Sequence, residues 1–554
     1  MSVKLRRTRA RNASLSIDDV MATVPEWWAR RAKEVGLPPR WRDWELALDA
    51  SPVPLSGPPC ELLCDASAIE MGEAYVRAID AATRLREGRH YTPSALGDVL
   101  WAEVTRAGPE DGLILDPACG AGALLLQPLR RFVRASSLEP AVALDAARRV
   151  ISGTDLDPTA VWLGNALLAA ELLPLWARLP ESDRVAFPQL LHVGDGLVDP
   201  GDAPQVIAMN PPYGRVRLDA AARALWEDSL YGHANRYALF LHAAIERVVP
   251  GGIVAAVVPT SFLGGSYYQR LRTLIAERAP LERLTFVESR AGVFGGDVLQ
   301  ETCIAVFRRG AKPRSIKSSR LAVNGSVSST RLPHAPSSTM RDRPWVLPRQ
   351  AWDGPLVRKA SKLGARLADY GWKATTGPLV WNRHKAQIAA SSGEGRLPIL
   401  WAADLDGGAI RRSPSREHMR WIALRDRDAF MKLTEPAILV QRTTAPEQVR
   451  RLVVAQLGRE TLADWGGEVV VENHVNVLRC SRTASPLTAD LLARLLQTVT
   501  LDRLYRCLSG TVAVSSYELE ALPFPAATTL TAWGALPESD LERAVASFYG
   551  DGTP

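Results

Sequence analysis

Between residues 112 and 308, short apolar runs alternate with longer amphipathic stretches, and this alternation limits the fold more than any other feature of the chain. The runs are Gly112–Asp116, Val150–Asp155, Leu190–Val193, Val206–Met209, Ile253–Val258, Leu284–Val287 and Thr302–Arg308. Each has the length and composition of a buried strand. The stretches between most of them are long enough for the helical crossovers that parallel strands need. The pattern therefore predicts an α/β domain on a mainly parallel sheet. In such sheets ligands bind beyond the carboxyl ends of the strands, so the residues that end each run are where chemistry is expected.

Four of those ends carry polar groups. The run Leu113-Ile114-Leu115-Asp116 enters Pro117-Ala118-Cys119-Gly120-Ala121-Gly122 and then a helix. Its glycines let the backbone approach a ligand closely. A third glycine and a Gly-Lys-Ser/Thr are both missing, so this is neither a pyrophosphate fingerprint nor a P-loop. Asp155, in Thr154-Asp155-Leu156-Asp157-Pro158, can accept hydrogen bonds from two ribose hydroxyls, and Asp195, in Gly194-Asp195-Gly196, from an adenine amine. A single acid at a strand end is commonly a turn former or helix cap; three at successive strand tips are harder to explain that way.

The fourth end is Asn210-Pro211-Pro212-Tyr213. It gathers an amide side chain, a carbonyl and a flat ring around one small space. Taken alone, the tetrapeptide also fits a Pro-rich turn. Its chemistry suits a planar substrate held by an NH2 group and by its face, such as adenine. Two acceptors, the Asn210 oxygen and the Pro211 carbonyl, would draw the amine hydrogens out of plane and concentrate the lone pair on nitrogen. Tyr213 would stack on the ring.

Composition narrows the setting. The chain has 554 residues, 47% hydrophobic and 23% charged, enough for two or three domains. No apolar run of the length needed to cross a bilayer stands out, no secretory h-region follows Met1–Asn12, and six cysteines form no disulfide framework. No metal-ligating constellation accompanies Cys60 and Cys64. A reducing cytoplasm is expected. The net charge of +7 is unevenly spread: ten Lys/Arg stand against one acid between Arg308 and Gln350, and five stand against none in the first twelve residues. Such segments suit a polyanion, or a solvated linker. The expected organisation is a helical extension over 1–50, the α/β domain over 51–308, a basic Ser/Pro-rich linker over 309–344, and a second mixed α/β unit over 345–554.

Asp-Pro-Ala-Cys-Gly-x-Gly, Thr-Asp-x-Asp-Pro, Gly-Asp and Asn-Pro-Pro-Tyr, in that order, resemble the S-adenosylmethionine-dependent adenine-N6 DNA methyltransferases of restriction–modification systems. Tyr91-Thr92-Pro93, lying ahead of the glycine loop, resembles the gamma-class order, with the target-recognition domain C-terminal. The likeness extends through His233–Tyr237, Pro259–Phe262, Val293-Phe294 and Gln300–Thr302. It implies a Rossmann-like class I methyltransferase domain with a mainly parallel seven-stranded sheet, and a C-terminal target-recognition domain. It also implies residue roles. Tyr91 and Thr92 would lie near the methionine part of the cofactor, and Asp116, Ala118, Cys119 and Gly120 would form its loop. Asp155 would hold the ribose and Asp195 the cofactor's adenine. Asn210, Pro211, Pro212 and Tyr213 would handle the target base, with Phe294 against its other face.

The interval from Asp116 to Asp155 is longer than a compact βαβ unit allows. An insertion around Arg130–Leu144 is expected, and the choice between Asp155 and Asp157 stays open. Implied partners are double-stranded DNA and a separately encoded restriction endonuclease, with the chain acting as a monomer. Lys373–His384, Gln441–Thr444 and Arg450-Arg451 are rich in residue types that contact phosphates and base edges. RNA and protein-glutamine methyltransferases share the Asn-Pro-Pro-Tyr tip, but a C-terminal domain of this size is unusual for them. A non-catalytic DNA-binding subunit would not need both sites intact.

Overall fold

The computed structural model describes residues 15–550 apart from 89–90, 109–110, 199–200, 288–300, 313, 323, 334–342, 445–447, 509 and 511–512. Phe294 thus lies outside the described residues. The chain divides into two compact units. The first holds the chain up to Pro259, then Thr273–Ile316 and Leu321–Val327; the second holds Thr260–Arg272, Lys317–Arg320 and Ser328 onward.

The first unit is built on β1 (Ile114–Asp116), β2 (Ile151–Asp155), β3 (Leu191–Val193), β4 (Val206–Met209), β5 (Ile253–Pro259), β6 (Leu281–Val287) and β7 (Thr302–Arg308). Their order across the sheet is β6-β7-β5-β4-β1-β2-β3. Pairings from β3 to β5 are parallel; β7 runs antiparallel to both its neighbours. Strands β4 and β5 are buried along their whole length, which is why they read as unbroken apolar runs rather than alternating ones. Among the described residues the large sheet counts nine strands, against the seven expected. The two extra strands, Ile316–Leu321 and Val327–Leu332, form a hairpin where an irregular linker was anticipated.

The long β1–β2 interval holds two helices, Leu126–Ala135 and Pro140–Val150, which accounts for the anticipated insertion. Helix Pro158–Trp176 is long and apolar enough by length and composition to cross a bilayer, but it is a core helix here. Thirteen of its residues, from Ala160 to Trp176, are buried.

Helix Ile17–Glu34 starts at a Ser16–Asp19 capping box, and its Val20, Met21, Val24, Trp27 and Trp28 recur at helical spacing and are buried. Tryptophans join this N-terminal segment to the α/β core. Trp41 packs edge-on against Trp176 with ring centroids 5.0 Å apart, and Trp44 against Trp162 at 5.5 Å. The Trp162 indole donates to the Asp49 carbonyl at 2.8 Å. Trp27 and Trp28 of the same segment are fully buried in this core, and truncating such a Trp to Ala costs about 3–5 kcal/mol, so the segment is integral to the core.

The second unit carries a four-stranded antiparallel sheet (Trp372–Thr376, Val475–Cys480, Ala437–Gln441, Val454–Leu457) and a five-stranded mixed sheet around Arg396–Leu400. Helices from Ala489 to Tyr549 complete it. Ser515 and Glu518 form the capping box of helix Ser516–Glu520.

Candidate active site

Register brings the polar strand ends together. Asp116 pairs across from Gly153, Asp155 from Val193, and Met209 from Ala256, so the carboxyl ends of β2, β1 and β4 lie side by side. A cavity of about 520 Å³ opens there. Tyr91, Thr92, Asp116, Ala118, Cys119, Gly120, Asp155, Asp195, Asn210 and Pro212 are all on its wall. Pro211 and Tyr213 are buried and are not on that wall.

The glycine loop is tied to its neighbour strand. Cys119 N–H donates to the Thr154 carbonyl at 3.1 Å, and Gly120 N–H to Asp155 Oδ2 at 2.8 Å. Burial pushes the Cys119 thiol well above its ordinary range, so it stays protonated and acts as a small apolar wall residue. Gly196 lies so close that a Cβ there would sit 1.8 Å from the Pro117 carbonyl oxygen. Only glycine lets the β3 turn approach the loop in this way.

The three acids differ in state. Asp116 is 2% exposed and its Oδ1 accepts from Ala118 N–H at 3.0 Å. Burial drives its carboxyl up to about 8, against the Ala118 N–H that favours the anion, and the charge of Asp155 adds to the rise. Asp155 uses one oxygen on Gly120 N–H and the other on Asp157 N–H, at 3.0 Å, and faces the cavity. Asp195 is exposed, with Oδ1 accepting from Leu197 N–H at 3.0 Å.

Asp157 behaves otherwise. Its Oδ1 caps helix Pro158–Trp176 through Thr159 N–H and Ala160 N–H, and its Oδ2 accepts from Tyr75 Oη at 2.7 Å. It is not on the cavity wall. Asp-Pro at a helix start is an N-cap followed by Pro at N1, so this division of labour was open to a reading of local sequence.

Asn210 stands at the end of β4. Its Nδ2 donates to Thr92 Oγ1 at 3.0 Å, and its Oδ1 accepts from Tyr213 Oη at 3.0 Å. Tyr213 also reaches the Val257 carbonyl in β5 at 3.2 Å and packs edge-on against Tyr237. Its ring is 6% exposed, turned inward rather than offered to the cavity. Gly88 has φ +70°, and a Cβ there would meet the Tyr213 carbonyl oxygen at 2.1 Å. The approach of the Tyr91-Thr92 segment to the β4 end thus requires glycine.

Several wall residues went unread in the sequence. Arg236, Leu239 and Phe240, on helix Arg236–Arg247, face the cavity at i, i+3 and i+4, a spacing that marks one helix face. Tyr75 and Leu156 carry no such signal.

Residues 70–329 match the N-6 DNA Methylase family. That stretch holds all seven strands β1–β7 of the first unit. The chain is 24% identical over 333 residues to the Type II methyltransferase M.BsuBI of Bacillus subtilis, covering 59% of this chain and 66% of that protein. It is 24% identical over 476 residues to the Type II methyltransferase M.PstI of Providencia stuartii, covering 82% and 90%. Among solved structures, the Type IIL restriction-modification enzyme MmeI in complex with DNA shares the fold, with a TM-score of 0.53 at 14% identity over 95% of this chain and 88% of that one. The methylase is thus an adenine-specific DNA methyltransferase, and S-adenosylmethionine is its cofactor. The donor set fits such a group. Carboxylates at two strand tips face a cavity of nucleoside size beside a glycine loop that lets backbone come close.

Proposed function

We propose that this methylase is the modification enzyme of a restriction–modification system, methylating N6 of one adenine in a specific DNA sequence. The observation that carries the reading is that the Asn210 amide and the cofactor-type acids share one cavity. When bound, S-adenosylmethionine supplies an electrophilic methyl group. Asp155 would hold the ribose, Asp195 the cofactor's adenine, and Tyr91, Thr92, Asp116, Ala118, Cys119 and Gly120 the methionine end. The assignment of Asp155 rather than Asp157 is supported by Asp155 lying on the cavity wall while Asp157 does not and instead caps the following helix.

Adenine within a duplex cannot present its amine at a strand end, so the base is flipped out, at a cost of a few kcal/mol. Asn210 Oδ1 and the Pro211 carbonyl would accept from the amine and stabilise the positive charge that grows on nitrogen during transfer. Pro212 lines the same wall and stiffens the tip. Placement of amine and methyl in line supplies much of the remaining acceleration. Stacking by Tyr213 requires its ring to turn from the inward position described above, with Phe294 on the opposite face of the base.

The order of elements supports the gamma class: Tyr91-Thr92 precedes the glycine loop and the second unit follows the sheet. The first unit then corresponds to the class I methyltransferase core with its N-terminal extension, and the second to the target-recognition domain. Supporting that role, Lys385 Nζ lies 5.3 Å above the Trp381 ring and the Arg416 guanidinium 5.0 Å above Trp401, with the two indoles 6.5 Å apart. Cations backed by aromatic faces suit phosphates and bases. A cytoplasmic monomer acting on double-stranded DNA beside a separately encoded endonuclease completes the proposal.

Long-read sequencing of DNA from cells expressing the protein should show methylated adenine within one motif. Asn210→Ala should abolish that signal while cofactor binding, by calorimetry, stays within about threefold. An active Asn210→Ala enzyme overturns the assignment. Methylated rRNA or a methylated release factor beside unmodified DNA would favour an RNA or protein-glutamine substrate.

A further inference from the structure

Directly after Asn210-Pro211-Pro212-Tyr213 the chain passes Gly214 and forms a short antiparallel ribbon, Arg215–Val216 against Ala234–Asn235. Gly214 has φ +108°, a conformation that glycine alone adopts without strain. Its carbonyl accepts from Arg236 N–H at 2.9 Å, and the Arg236 guanidinium donates to the Arg86 carbonyl at 3.1 Å. The ribbon is thus pinned between the Asn210 tip and the segment ahead of Tyr91.

Its side chains alternate. Val216 and Leu218 line the cavity wall, whereas Arg215 and Arg217 are exposed, as expected of an extended segment with one face on the cavity. Other arginines of this region are engaged: Arg223 on the Gly232 carbonyl, Arg278 on Asp228 and Glu246, Arg308 on Glu282. Arg215 and Arg217 make no side-chain hydrogen bond or ion pair. The nearest acid in sequence, Asp219, caps helix Ala220–Leu225 through Ala222 N–H at 2.8 Å.

Two unneutralised guanidinium groups at the lip of a cavity call for an anion. The cavity itself already holds Asp116, Asp155 and Asp195 on its wall, so the anion belongs outside it. When a base swings into such a pocket, its sugar–phosphate strand stays at the lip. Residues two apart on an extended chain stand about 7 Å apart, a separation close to that of successive phosphates on one strand. Each guanidinium fork also matches a phosphate in shape.

We propose that Arg215 and Arg217 are DNA-binding residues that hold the two phosphates flanking the flipped adenine. The tip that engages the amine and the clamp on its strand are then one continuous segment, 210–217. This rests on the reading of the cavity as the place where a flipped adenine is methylated.

The test measures DNA binding to the full chain by fluorescence anisotropy, with S-adenosylhomocysteine present, between about 50 and 200 mM salt. One probe is a duplex carrying the motif found by sequencing; the other has neutral methylphosphonates on both sides of the target adenine. On the ordinary duplex Arg215→Gln and Arg217→Gln should each weaken binding about threefold to tenfold and flatten the plot of log K against log salt by about 0.9. Cofactor Kd should stay within about threefold, since neither side chain lines the cavity. Wild type should bind the methylphosphonate duplex as weakly as the double variant binds the ordinary one. The double variant should lose less than about twofold further on it, because those contacts are already gone.

Unchanged affinity and slope in both variants overturn the proposal, as does wild-type binding indifferent to the methylphosphonates. So does equal weakening of wild type and double variant by them, which would put the arginines on other phosphates. Asn210→Ala, run alongside, separates the two readings. If it methylates DNA, the reading of the cavity fails; if it is inactive while both arginine variants bind as wild type does, only the clamp fails.

Discussion

The cavity at the strand tips and the arginine-rich interior of the second unit use polar side chains in opposite ways. In the first, Asp155, Asp195 and Asn210 each keep a face on open space while other atoms fix their position. In the second, polar groups are consumed by backbone. Arg450 donates to the Thr498 carbonyl at 3.0 Å, Arg442 to Asn473 at 3.2 Å, and Gln441 Nε2 to Ala402 at 2.7 Å. The Arg451 guanidinium donates to the Thr444 carbonyl, and Asp502 Oδ1 accepts from Arg451 N–H and Leu452 N–H at 2.7 and 2.8 Å. Gln441, Arg442, Thr444, Arg450 and Arg451, among the residue types that suggested DNA contacts, thus each spend a side-chain hydrogen bond on backbone. A polar side chain signals chemistry when its partners leave one face on a cavity, and architecture when they close around it.

The sharpest way to break this contrast lies within one helix start. Asp155 faces the cavity and Asp157, two residues on, is not on its wall and caps the following helix. Asp155→Ala removes an acceptor from the cavity and two hydrogen bonds that hold the loop, to Gly120 and Asp157. Cofactor affinity should fall about a hundredfold, since bonds to a charged group are worth about 1.5–3 kcal/mol each. Asp157→Ala should instead cost about 1 kcal/mol of stability as a lost N-cap, with affinity within about threefold. Titration calorimetry and thermal melts on both variants check this; equal losses of affinity would show that the distinction between the two acids is wrong.

The brace in the second unit offers the converse test. Asp502 is 5% exposed and also accepts from Arg506 Nε at 2.9 Å. Asp502→Ala leaves the Arg451 and Leu452 N–H groups buried without an acceptor. Unfolding of this unit should be easier by about 3 kcal/mol, while cofactor binding is unchanged. A shift below about 1 kcal/mol in denaturant titration would show that the brace is not needed.

These cases show what local sequence carries. The strand tips were legible because burial on both faces writes a parallel strand as an apolar run, and the residue after the run is then placed by register. Asp116, Asp155, Asp195 and Asn210 all lie at or within two residues of the end of such a run. The inward turn of Tyr213 was not legible, since its hydroxyl partner Val257 lies 44 residues away. Nor were the backbone bonds of Arg442 and Arg450, whose carbonyl acceptors sit 31 and 48 residues off. Side chain–backbone bonds across such separations leave no periodic trace. The hairpin at Ile316–Leu321 and Val327–Leu332 hid behind a Ser-rich, basic composition.

The finest test concerns Asp116, which sits between the two behaviours: it is on the cavity wall yet closed in by protein. Its folded carboxyl titrates at about 8, against 3.8 for an ordinary one. Below both values, folded and unfolded chains alike hold the proton. Between them the folded chain keeps a proton that the unfolded chain has released, so the contribution of this group to stability declines as pH rises through the window and is level above about 8. Asp116→Asn cannot titrate. Its melting temperature relative to wild type should therefore climb between pH 5 and 8 without cofactor, by about 5–15 °C. The cationic methionine end of S-adenosylmethionine favours the ionised carboxylate, so wild-type affinity should rise with pH up to about 8, and that of Asp116→Asn should not. Parallel melting curves for the two proteins across this range would mean that Asp116 is ionised in the folded state, and that its burial is offset by more than the Ala118 N–H.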